Sequence, residues 1–207
     1  MPIFFQQQIN ETTRLGIWKI EESEDFFKGN VPPQRDVTHP HKRLQHLAGR
    51  FLLQFLFPGF PYDLIQIADT RKPYLPGEQY HFSISHCGDY AAAIVSNTNR
   101  VGIDIEIPVA KIVRIRDKFL SSVEIDQFHL QQPEPDIPLL TRLWSSKEAV
   151  FKWYGDGGVD FREHIHLEKN NEDPLVIDCT FTKNHQQLFI NYKHFDQLVL
   201  AWTLTNR

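Results

Sequence analysis

Three acids and two lysines stand at spacings that could handle a cation and a phosphate together. In Val101-Gly102-Ile103-Asp104-Ile105-Glu106-Ile107, apolar residues recur at every second position, the period of a β-strand. Such a strand is expected to bury its isoleucines and to hold Asp104 and Glu106 on the other face, about 7 Å apart at ~3.3 Å per residue. No Lys or Arg lies beside them on that face, so two like charges stand together and invite a cation. In Trp144-Ser145-Ser146-Lys147-Glu148-Ala149-Val150-Phe151-Lys152, helical spacing stacks Trp144, Glu148 and Lys152 on one face. Lys147 is in line with Leu140 and Leu143, which puts a charge near the buried edge. Taken singly, the strand could be a half-buried hairpin arm, and Glu148 with Lys152 a surface ion pair of ~0.3–0.5 kcal/mol. The unpaired acids and the misplaced lysine weigh against both.

Further cations lie upstream. Arg43, His46 and Arg50 follow one flank of a helical pattern, away from its apolar face, with His41 and Lys42 close by. They form either a solvated basic face or a phosphate-binding stripe, for which arginine offers planar, bidentate donors. Arg71-Lys72-Pro73-Tyr74 is a basic turn. Ser85 and His86 end the alternating run Tyr80 to Cys87 and could grip an anion with the backbone amides that follow. Adjacent strand residues point to opposite faces, so a Ser-His or Cys-His nucleophile is not expected.

Composition bounds what these residues can do. The chain has 207 residues, 41% of them hydrophobic, with 22 Lys and Arg against 26 Asp and Glu, a formal charge of −4. That size supports one large core or two small ones, and the charge argues against bulk nucleic-acid binding. Two cysteines make no disulfide framework, and no apolar run approaches a membrane span or a secretion signal. A cytoplasmic protein without nucleic-acid or membrane partners is expected.

The elements that must position the site are readable in outline. Strand patterns cover Leu15 to Ile20, Tyr80 to Cys87 and Tyr90 to Val95. A long amphipathic helix runs from about Thr38 to Pro58-Gly59, after a Pro32-Pro33 break. The five-residue loop 96–100 predicts that the carboxylate strand is the returning arm of an antiparallel hairpin. Ser121-Ser122-Val123-Glu124 has the spacing of a capping box, and residues 131–138 read as a proline-rich loop. The Trp144 helix should stop near Gly155. Four strands are expected after it, one carrying His164 and His166 on a common face, with no third metal ligand nearby. A helix followed by strands, twice, predicts an α+β fold of two related halves.

The residues Val101 to Glu106, together with Trp144-Ser145-Ser146-Lys147-Glu148-Ala149 and Lys152, resemble the two signature motifs of the 4'-phosphopantetheinyl transferases. The likeness is to the longer single-chain type that activates surfactin synthetase. Lys72-Pro73-Tyr74, the Phe82 to Gly88 segment and the Arg50 helix extend it over most of the chain. The resemblance implies two pseudo-symmetric halves, each an antiparallel sheet on a long helix, with the site in the cleft between them. Residues 1–103 would serve the 3'-phosphoadenosine end of coenzyme A, and 104–207 the metal, the diphosphate and the carrier protein. Carried over by position, Asp104, Glu106 and Glu148 would hold magnesium. Lys152 and Lys147 would meet the diphosphate. Arg43, Arg50, Ser85 and His86 would face the 3'-phosphoadenosine, and Lys72-Pro73 the adenine. Arg71 and Cys87 depart from the usual Gly and Ser.

The implied reaction moves the 4'-phosphopantetheine arm of coenzyme A onto a serine of an apo carrier protein, with Glu148 as candidate base and Lys152 and Asp104 beside it. A basic and apolar surface of Lys111, Arg114, Arg116, Lys118 and Phe119-Leu120-Ser121 would receive the carrier. One chain holding both halves is expected to work as a monomer. A metal-dependent phosphodiesterase, or a non-catalytic coenzyme A or carrier-binding module, are the alternatives.

Overall fold

The computed structural model describes residues 3–31 and 37–206; the Pro32-Pro33 break lies outside them. Ile3–Asn10 (β1) and Thr13–Lys19 (β2) form an antiparallel hairpin. β1 carries no clear strand signal in the sequence, because Gln6-Gln7-Gln8 places polar residues on both faces. As an edge strand, β1 needs only Ile3, Phe5 and Ile9 turned inward.

A short helix, Glu24–Lys28 (α1), precedes Pro40–Leu56 (α2). Pro40 sits in the first turn of α2, where its missing N–H costs nothing. Leu47, Ala48, Leu52, Leu53 and Leu56 are buried along α2 on the first sheet. Each fully buried leucine contributes roughly 1.5–3 kcal/mol. A two-strand ribbon, Gln66–Ile67 (β3) and Pro73–Tyr74 (β4), follows. His81–Cys87 (β5) and Tyr90–Ser96 (β6) then complete a sheet of order β1-β2-β6-β5.

The carboxylate strand, Asn99–Glu106 (β7), is not the returning arm of a hairpin with β6. Both edges of β6 are already paired, to β2 and to β5, so β7 has no edge to join there. It pairs instead with the last strand. Arg116–Phe119 (α3), Ser122–Gln127 (α4), Ile137–Tyr154 (α5) and Phe161–His164 (α6) come next. Ile165–Lys169 (β8), Val176–Phe181 (β9), Gln186–Phe195 (β10) and Leu198–Asn206 (β11) then build a second antiparallel sheet of order β7-β11-β10-β9-β8. The fold is thus mixed α+β with antiparallel sheets, as expected. The two long helices stop where the sequence stops them, α5 on Gly155 at φ 77°.

Three cores hold this together. One lies under α2 on the first sheet, and one under α5 on the second. The third joins the sheets: Leu15, Ile17 and Ile94 of the first meet Val101, Ile103 and Ile105 of β7. The isoleucine face of β7 is therefore buried, as its period of two requires. The edge strands β5 and β7 meet through side chains. Ser83 Oγ accepts the Ile103 N–H at 3.2 Å, and Cys87 Sγ accepts the Ile107 N–H at 3.3 Å. Between them lies Ser85.

Candidate active site

The site forms where this seam meets α5. Ser85 Oγ donates to Asp104 Oδ1 at 2.8 Å. Lys152 Nζ reaches across from α5 to donate to the same carboxylate oxygen at 2.6 Å and to Ser85 Oγ at 2.9 Å. Asp104 is 2% exposed, and its Oδ2 is buried without a hydrogen-bond partner among the described residues. An ionised oxygen in that position is costly unless a cation or donor faces it.

Two more acids feel this charge. Burial, and then the neighbouring Asp104, push the Glu148 carboxyl up to about 7, with Lys152 opposing and Glu106 adding to the rise. Burial and Asp104 likewise raise Glu106. Cys87 Sγ packs against Glu106, and burial pushes its thiol up to about 11, the Glu106 charge adding to it. Among the described residues, no group of three or more His, Cys, Asp or Glu side chains is arranged to hold a metal ion by itself. Lys152 is the cation against Asp104 in this arrangement. The donor set still suits magnesium, a hard ion that takes oxygen ligands and keeps waters and phosphate oxygens instead of an all-protein cage. The partnerless Asp104 Oδ2 is the position that fits it.

The C-terminal end of α5 gathers the expected Lys72 with Thr70 and Arg100, which the sequence does not single out. Lys72 Nζ donates to the Trp153 carbonyl at 3.2 Å, Thr70 Oγ1 donates to the Gly155 carbonyl at 2.8 Å, and Arg100 donates to the Tyr154 carbonyl. Cations there meet the last carbonyls and the negative end of the helix dipole. Burial lowers Lys72 to about 8, with Arg100 contributing. Beside them is a cavity of about 550 Å³ lined by Lys72, Pro73, Tyr80, Phe82, Arg100 and Trp153. His86 is exposed at the end of β5, next along the strand from Ser85.

Among the expected residues, Lys147 and Arg43 have their donors committed elsewhere, and Arg50 is buried. Lys147, assigned to the diphosphate, is fully buried. Its ammonium donates to Glu124 at 2.7 and 2.9 Å and to the carbonyls of Phe161 at 2.8 Å and Ile165 at 2.7 Å. It has no donor left for a substrate. Its anionic partner is Glu124, whose capping box with Ser121 is present as the sequence predicts. Arg43 holds Glu24 through Nε at 2.7 Å and Nη2 at 2.9 Å, and donates to the Val37 carbonyl at 2.7 Å. Arg50 is 4% exposed and packs beside Tyr62, whose hydroxyl donates to the Arg50 carbonyl at 2.5 Å. It does not lie on a solvated stripe. Ser85 faces Asp104 and Lys152.

The expected carrier surface also changes. Phe119 and Leu120 are each 1% exposed and belong to the core under α5. Arg116 pairs with Asp117 at 2.8 Å and donates to the Leu130 carbonyl at 3.0 Å. Lys111, Arg114 and Lys118 remain exposed, with Val109 and Val123 as the exposed apolar side chains nearby.

A buried carboxylate with one unpartnered oxygen, two acids of raised pKa and a lysine, on a seam between two antiparallel sheets, make the set used to neutralise and move phosphate groups. The chain belongs to the 4'-phosphopantetheinyl transferase superfamily, whose family model matches residues 100–203. A Haemophilus influenzae protein whose name assigns it, provisionally, to the 4'-phosphopantetheinyl transferases is 31% identical over 169 residues, 72% of this chain and 71% of the relative. The Escherichia coli K12 4'-phosphopantetheinyl transferase AcpT is 29% identical over 175 residues, 83% of this chain and 81% of the relative. Enterobactin synthase component D of the same strain is 32% identical over 117 residues, 54% of each chain.

Proposed function

We propose that this protein transfers the 4'-phosphopantetheine moiety of coenzyme A to a serine hydroxyl of an apo acyl or peptidyl carrier protein, in the manner of the single-chain, surfactin-synthetase-activating type. The observation that carries this reading is Asp104, buried on the seam, one oxygen on Lys152 and Ser85 and the other without a hydrogen-bond partner among the described residues. Asp104, Glu106 and Glu148 would hold magnesium, which would neutralise the diphosphate and template its approach.

The chain's own groups do the rest. Lys152 leaves Asp104 for the diphosphate of coenzyme A and stabilises the charge that spreads there in a loose transition state. The serine oxygen bonds to the phosphorus that carries pantetheine. The bond from that phosphorus to the bridging oxygen breaks, and adenosine 3',5'-bisphosphate leaves. Glu148 takes the serine proton, directly or through a water. Lys72-Pro73 and the cavity beside α5 receive the adenine end, and His86 the 3'-phosphate side. Lys111, Arg114 and Lys118, with Val109 and Val123, meet the acidic face of the carrier.

The first half of the chain serves the nucleotide and the second the metal, diphosphate and carrier. The turn at 97–98 divides them better than 103/104, because β7 lies wholly in the second sheet. Both halves in one chain support a working monomer, and two free cysteines support a reducing, cytoplasmic setting.

Chromatography of adenosine 3',5'-bisphosphate released from coenzyme A, with and without apo carrier, tests the reading. Release only when carrier is present is the expected result. Release without carrier would make the protein a phosphodiesterase, and binding with no release would make it a binding module.

A further inference from the structure

We infer that Lys152 is the resident counter-cation of Asp104 and competes with the divalent ion for that carboxylate, so that metal and coenzyme A bind with positive coupling. The inference rests on the proposed reading of Asp104 as a metal ligand. It goes beyond it by giving Lys152 two successive partners.

The geometry supplies the competition. Lys152 Nζ stands 2.6 Å from Asp104 Oδ1, a short charge-assisted contact. A divalent ion on Oδ2 would share one carboxylate with that ammonium, and the two positive charges would repel at close range. The two partners differ in freedom to move. The Asp104 side chain is 3% exposed, locked by Ser85 on the seam, whereas the Lys152 side chain is 26% exposed and extends from the last turn of α5. Lysine is the partner that swings.

It does not swing away unassisted. Asp104, Glu106 and Glu148 would then confront one another without a cation, so the ammonium leaves as another positive charge arrives. The diphosphate of coenzyme A offers Lys152 an anion to follow. Each ligand therefore removes an obstacle to the other, and by linkage each raises the other's affinity by the same factor.

Titration of Mn²⁺, followed by electron paramagnetic resonance of the free ion, reads this without turnover. Without nucleotide, Lys152→Met should bind Mn²⁺ about 10-fold more tightly than wild type, within the usual span of ligand coupling. Lys152→Arg, which keeps the charge, should match wild type, and Asp104→Asn should bind more weakly than either. Adding coenzyme A, with its own Mn²⁺ binding subtracted, should tighten the wild type and tighten Lys152→Met less. Lys152→Gln replaces the methionine variant if that one does not melt cooperatively. Equal or weaker binding by the folded neutral variant, while Asp104→Asn still loses the ion, overturns the competition and leaves the metal reading standing. Mn²⁺ binding indifferent to Asp104→Asn overturns the metal reading, and the inference with it.

Discussion

A Cβ atom on Gly102 would stand 2.0 Å from the Ala149 carbonyl oxygen and 2.6 Å from the Trp153 backbone nitrogen. The helix that carries Glu148 and Lys152 thus lies directly on the strand that carries Asp104, with no room for a side chain between. That contact sets the reach of Lys152 to Asp104. Gly102→Ala should force the two elements apart and cost about 3 kcal/mol or more of stability, at or beyond the upper range for overpacking. Gly29→Ala, at φ −70° with nothing nearer than 3.4 Å, should change stability by less than about 0.5 kcal/mol. Chemical denaturation of both variants checks the contrast.

Lys147 and Glu124 form a buried pair, and removing one partner leaves a charge with no water to solvate it. Lys147→Met should destabilise the fold by about 3–5 kcal/mol. Below its melting temperature it should leave the KM for coenzyme A unchanged. A raised KM with normal stability would return Lys147 to the diphosphate.

The raised Glu148 carboxyl has a consequence for stability in metal-free protein. Its folded value of about 7 lies above the ordinary 4.5, so between those values the folded chain binds more protons than the unfolded one. The contribution is fully present below about 4.5 and is lost as pH rises through about 7. With chelator present, the Tm should fall from pH 5 to pH 7.5, and Glu148→Gln should flatten the slope. Magnesium should also flatten it. An unchanged slope in the glutamine variant would remove Glu148 as its source.

Charge reversal separates the carrier surface from the core beneath it. Arg114→Glu and Lys118→Glu should raise the KM for carrier several-fold and leave that for coenzyme A unaltered. Arg116→Glu should instead lower the Tm, because Arg116 ties down the Leu130 carbonyl. Equal effects on both substrates would place Arg114 and Lys118 elsewhere in the mechanism.

The residues most legible in the sequence carry local signals. Asp104 and Glu106 stand out through the period of two, Pro40 and Gly155 through their preferences at helix ends, and Glu124 through its capping box with Ser121. What stayed hidden depends on partners distant in the chain. Nothing near Lys147 announces Glu124, which lies 23 positions away. Nothing near Ser85 announces that β7 would run along the edge of β5 without pairing with β6. Phe119 and Leu120 look like surface residues because the helix that ends at Phe119 has only four residues, too few to show a buried face, and Leu120 lies just past it. β1 is masked by its three glutamines, which an edge strand tolerates and a central one would not.

The central claim is that Asp104 and Glu148 serve transfer of phosphopantetheine, and intact-mass spectrometry of an apo carrier protein tests it most directly. The carrier is incubated with coenzyme A, Mg²⁺ and wild-type protein, Asp104→Asn or Glu148→Gln, each variant first confirmed to melt cooperatively. A phosphopantetheine-sized mass gain with wild type, lost or slowed at least about 100-fold in both variants, is the expected result. Full modification by either folded variant would contradict the site, and no gain by wild type on acyl and peptidyl carriers alike would contradict the reaction.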